Sequence, residues 1–178
     1  MNKYIFPAVI ILALGAMIGL FILGNKNDAT TTPGQQLLGD KHADLGQKHI
    51  AINEAHDPYN SNLPSSGPHY IKPATWGIQD KTVVDEVLVH NEEHGGIVIA
   101  YKPELPPAEV AKLMSIFAKL PQSSKFNEIK AVLVSRPSNY KLIELGAWTY
   151  TLSLDTVDEE KILAFYNSHL DKGPELVP

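Results

Sequence analysis

Residues 87–101 read VLVHNEEHGGIVIAY, and this block constrains the fold more than any other part of the chain. Two short β-branched runs flank a polar centre, and Gly95-Gly96 is poor material for a helix interior. The pattern predicts a hairpin with arms over residues 83–90 and 96–101 and with Asn91, Glu92 and Glu93 as its loop. Its two faces are both apolar, so the hairpin is expected at the centre of a sheet covered on both sides. His90 and His94 then oppose each other, with Cβ atoms roughly 4.5–5.5 Å apart, close enough for two imidazoles to share one metal ion. A helix would also put positions i and i+4 on one face.

The rest of the chain supplies what packs around that block. Residues 4–24 carry no charge over 21 positions, long enough for one membrane-spanning helix. No small-x-small cleavage site follows, and the absence of cysteine excludes a lipoprotein anchor. The expected organisation is a short cytoplasmic tail (1–3), a signal-anchor helix (4–24), a flexible Thr- and Asn-rich linker (25–36) and an extracytoplasmic domain (37–178). That topology places the protein in the cell membrane, single-pass, with its carboxyl-terminal domain outside.

Within residues 37–178 a short helix and a strand near residues 49–52 are expected. Residues 53–75 carry Pro58, Pro64, Gly67, Pro68 and Pro73 and read as a long loop, a type that is uncommon unless functional. A helix runs from Pro106-Pro107 to about Lys119, proline being tolerated in the first turn. Residues 131–135 and 147–153 read as strands. A last helix begins at Thr156, whose TVDE resembles a capping box. The fold class is therefore α+β: an antiparallel or mixed sheet with a central hairpin and two packed helices, preceded by the transmembrane helix.

Composition removes several function classes. Fifteen basic residues face twenty acidic ones, for a net charge of −5, and Arg136 is the lone arginine. No clustered basic face marks a nucleic-acid footprint. Without cysteine there are no disulfides, thiolate metal sites or cysteine nucleophiles.

The runs PYNSNLPSSGPHY (58–70), WG (76–77) and VHNEEHGGIVIAY (89–101) resemble an uncharacterised prokaryotic membrane-anchored family described as a domain of unknown function. Its pattern is NPPTSGPH followed by VHxLEHGG, and the later SRP, AW and GPE are also similar. Leu63 replaces the first proline of that pattern. Glu92 replaces an apolar residue, which implies that its side chain faces solvent here. The resemblance brings no activity, so chemistry is read from the residues.

His69, His90 and His94 form the expected metal centre, two from the hairpin and one folded over from the loop. Glu93, His56, His49 and His169 are the additional candidates as ligands or partners of ligands, and Glu93 is also the one candidate for a catalytic acid or base. Tyr59, Tyr70 and Arg136 are expected to line a pocket; the arginine suits a carboxylate or an internal ion pair equally. Nitrogen and oxygen ligands of this kind suit Zn, Cu, Mn, Fe or Ni. The alternative is a metal-free envelope-binding or assembly module whose histidines hold loop backbone, with a cell-envelope protein or a small molecule as partner. Residues 90–94 also match H-x-x-E-H of inverted zinc proteases, which needs a helix that the hairpin reading denies. Ser65 and Ser66 read as turn residues rather than nucleophiles.

Overall fold

In the computed structural model, residues 37–178 are described; the expected anchor and linker lie outside them. Among the described residues no helix is long and apolar enough to cross a membrane. The elements run β1 (Asp40–Lys41), β2 (His49–Ile50), β3 (His69–Tyr70), β4 (Gly77–Ile78), α1 (Asp85–Glu93), β5 (Ile97–Tyr101), α2 (Pro107–Phe117), β6 (Ala131–Ser135), β7 (Ile143–Ala147), β8 (Tyr150–Leu154) and α3 (Glu159–His169).

Six strands form one mixed sheet in the order β1-β8-β7-β5-β6-β4. β5 lies parallel to β6 and antiparallel to β7, while β7 and β8 form an antiparallel hairpin. A parallel pair needs a crossover, and α2 supplies it between β5 and β6. The short β2 and β3 form a separate parallel pair.

The expected central hairpin is not formed. β5 is central, but the segment before it is helix α1, and β7 and β6 occupy its flanks. There are three described helices rather than two. The helix expected before β2 is absent, and the strand expected over residues 147–153 is broken at Trp148-Thr149, where β7 turns into β8. The TVDE sequence does not cap through Thr156; Asp158 is the N-cap of α3, and its carboxylate accepts from the Lys161 amide at 3.1 Å.

α1 forms for reasons that the apolar pattern hides. Asp85 and Glu86 occupy its first turn, which complements the positive end of the helix dipole. The glycine pair ends the helix instead of opposing it. Gly95 adopts φ 77°, its amide donates to Glu92 O at 2.9 Å, and the Gly96 amide donates to Asn91 O at 2.9 Å. That pair of bonds is a Schellman motif, with a left-handed glycine just past the C-cap residue His94.

Both faces of β5 are covered, as its composition implies. Ile97 and Ile99 join Leu113, Ile116, Phe117, Phe165 and Tyr166 on the α2/α3 side. Val98 and Ala100 join Leu63 and Leu88 on the α1 side, under Trp76. Two polar clamps hold α1 and the long loop together. The Asn91 side chain exchanges two bonds of 2.9 Å with the Ala74 backbone. Arg136 grips Asp85 through two bonds of 2.7 Å and also donates to Asn62 and Asn139.

Gly96 follows the helix end at a point of close approach. A Cβ there would run into the Trp76 ring and sit 2.8 Å from Asn91 O. Gly96→Val is therefore expected to destabilise the fold by about 1–3 kcal/mol through overpacking. A denaturant midpoint equal to that of the wild type would contradict this.

Candidate metal centre

The parallel β2–β3 pair sets His49 directly beside His69 in register. α1 crosses the same place, and three positions of its last turn matter: His90, Glu93 and the C-cap His94. One oxygen, Glu93 Oε2, lies 2.9 Å from His69 Nε2, 3.6 Å from His49 Nε2 and 3.9 Å from His90 Nε2. Tetrahedral ligation at 2.0–2.1 Å implies ligand atoms roughly 3.3 Å apart, so these separations need shifts of only tenths of an ångström. His49, His69, His90 and Glu93 each offer a ligand atom, all within 4.8 Å of one another.

The other ring nitrogens fix the tautomers. His69 Nδ1 lies 2.7 Å from Gly67 O, and His90 Nδ1 lies 2.6 Å from Tyr70 O. A carbonyl only accepts, so both Nδ1 atoms carry protons and neutral rings turn the Nε2 lone pair inward. Metal-bound histidines are oriented in this way by an outer partner. His69, His90 and Glu93 are buried, whereas the His49 side chain is 40% exposed and forms the solvent side of the group.

His94 lies next to this group. Its Nε2 is 2.9 Å from His90 Nε2, and it belongs with Glu93 and Glu175 in an adjoining set of possible ligands. Burial lowers the pKa of His90, with the Tyr70 carbonyl opposing. Burial also lowers that of His94, with His90 adding to the effect. Both rings are thus neutral at pH 7, the form that binds metal.

The remaining expected residues divide by location. His56 bonds Asp57 O and approaches Glu86 at 3.4 Å, while His169 bonds Leu38 O and packs beside Phe165 and Tyr150; neither reaches the centre. Tyr59 donates to Pro68 O and, with Arg136 and His56, lines an open cleft of about 480 Å³. Arg136 meets an internal acid, Asp85. Tyr70 lines an apolar cleft of about 320 Å³ with Ile50, Ile52, Ile71 and Val87. The H-x-x-E-H segment does stand on a helix. It differs from a protease arrangement in its glutamate, which as a base would face a metal-bound water and here is enclosed by imidazoles.

Glu92 corrects the solvent-facing expectation, since it is fully buried and neither carboxylate oxygen has a hydrogen-bond partner. Its space exists because Gly146 has no side chain; a Cβ there would collide with the Glu92 carboxylate. Burial raises its pKa well above the ordinary range, Asp85 adds to this and Arg136 opposes it. The folded protein therefore keeps a proton that the unfolded chain releases above pH 4.5, so wild-type stability falls as pH rises past that value. Glu92→Leu removes the cost of the unpaired acid and should stabilise by about 1–3 kcal/mol at pH 7. The gap between variant and wild type should widen from pH 4.5 to 8 in urea melts. A constant gap, or a less stable variant, would contradict this placement.

No curated protein and no solved structure matches the chain. Residues 49–177 match the family described as protein of unknown function (DUF3105), a span that begins at His49 and includes both ligand groups. The chain belongs to that family.

Proposed function

We propose that this domain binds a divalent transition metal ion through His49, His69, His90 and Glu93, with His94 beside it. One observation carries the reading: two buried imidazoles have their Nδ1 protons tied to backbone carbonyls while their Nε2 atoms converge on a buried carboxylate. Without a cation the 2.9 Å contact between His69 Nε2 and Glu93 Oε2 needs an extra proton on one partner. A metal replaces that proton and satisfies the lone pairs together. Three nitrogens and one oxygen suit Zn, Cu, Mn, Fe or Ni.

The metal-free module uses the same carbonyl bonds to hold loop backbone, but it gives no role to the inward Nε2 atoms. Glu93 acts as a ligand in this reading rather than as a free base. The amino-terminal apolar segment anchors the domain at the extracytoplasmic face of the membrane, with Lys3 inside. In cells the full chain should therefore remain in carbonate-washed membranes and be cut by protease added outside. Release by the wash, or protection from the protease, would contradict the anchored topology.

Metal should raise the melting temperature of purified protein, since a ligand at 100 Kd stabilises by about 2.7 kcal/mol. His69→Ala should weaken binding by at least the roughly 10–100-fold that loss of a mere outer partner typically costs. Affinity should weaken as pH falls, because the metal must displace the proton shared by His69 and Glu93 and protons compete for the ligand nitrogens. A wild-type chain unaffected by any of the five ions would overturn the proposal.

A further inference from the structure

The carboxyl-terminal tail crosses the end of α1 and brings a second carboxylate to it. The Asp171 amide donates to Gly95 O at 2.9 Å, and the Glu175 amide donates to Glu93 O at 3.0 Å. Gly173 passes so close that a Cβ would strike Glu93 O and Gly95 N. Buried Lys130 fastens both strands of this crossing, donating to His94 O at 2.5 Å and to Val177 O at 2.6 Å. The Glu175 backbone is thereby held at the helix end, and its Oε2 lies 3.8 Å from His94 Nε2.

Glu93, His94 and Glu175 thus form a second set of possible ligand atoms within 4.8 Å of one another, sharing Glu93 with the first. A further observation points to a cation. Glu93 Oε1 is buried without a hydrogen-bond partner, although Oε2 meets His69 and lies near His49 and His90. Orphaned polar atoms of this kind are rare and call for an explanation.

We infer that the site is dinuclear, with Glu93 bridging a first divalent transition cation at His49, His69 and His90 and a second at His94 and Glu175. This rests on the metal-binding reading above. Carboxylate-bridged pairs hold their ions roughly 3.5–4 Å apart. His90 and His94, which share a hydrogen bond in this structure, would each turn to a separate ion. Three protein ligands leave the second ion an open position, as catalytic metal sites require. That position has access to solvent: Glu175 is 46% exposed, and His94 lines an open cleft of about 410 Å³ with Trp76, Pro73 and Pro178. The second ion is therefore the weaker and more exchangeable of the two.

Mn²⁺ titration of the purified full chain, followed by metal analysis and electron paramagnetic resonance, tests this. The wild type should take up two equivalents, the second more weakly, and the loaded protein should show an exchange-coupled signal. Glu175→Gln should stop at one equivalent and give an uncoupled signal, with unchanged affinity for the first ion and an unchanged apo melting curve. His94→Gln should also stop at one equivalent with an uncoupled signal, so the stoichiometry does not hang on one variant. Saturation of the wild type at one equivalent, two equivalents retained by both variants, or two uncoupled ions would overturn the bridged pair and leave the mononuclear site standing. No uptake at all would overturn both.

Discussion

The candidate metal centre depends on one buried carboxylate. Glu93 sits in the last turn of α1 with its side chain 1% exposed, and its Oε2 is the point toward which three imidazoles turn. Placing a carboxylate there is costly unless positive charge or hydrogen bonds compensate. The surroundings supply both the compensation and the geometry. β2 and β3 pair only two residues each, yet that register sets His49 against His69. The Schellman turn at Gly95 fixes where α1 stops, and hence which way its last side chains point.

Much of the remaining structure keeps that helix end in place. The Arg136–Asp85 pair ties the start of α1 to the end of β6, and Asn91 ties its last turn to the loop before β4. The carboxyl-terminal tail covers its far end, held by Lys130, whose burial lowers its pKa while Asp171 opposes the effect. Such over-determination is what a site needs if its ligands must sit within a fraction of an ångström of their working positions.

The sequence carried part of this plainly. β6 coincides with the expected strand, α2 begins at its second proline, and β5 shows two apolar faces because helices lie on both sides. Val87 and Val89 favour a strand by propensity, but tertiary contact with the sheet decides in favour of helix. The better signal was present: acidic residues in the first turn and glycine just after the last periodic residue mark a helix start and stop. β7 was hidden because Glu144 interrupts its apolar run, although this residue is buried and accepts from the Tyr140 and Lys141 amides. His49 stands in the sequence among the additional candidate ligands, level with His56 and His169. Its pairing with His69 across twenty residues comes from register, which no local pattern encodes. Glu92 looked like a loop residue for as long as its segment looked like a loop.

The central claim is that imidazoles from three different segments bind one ion together with Glu93. X-ray absorption at the metal edge of the purified, metal-loaded full chain tests it most directly. The account predicts nitrogen and oxygen neighbours at about 2.0–2.1 Å for zinc, with the outer-shell scattering of imidazole rings, and a marked loss of that scattering in His69→Ala. A spectrum of oxygen neighbours alone, identical in wild type and variant, would contradict it.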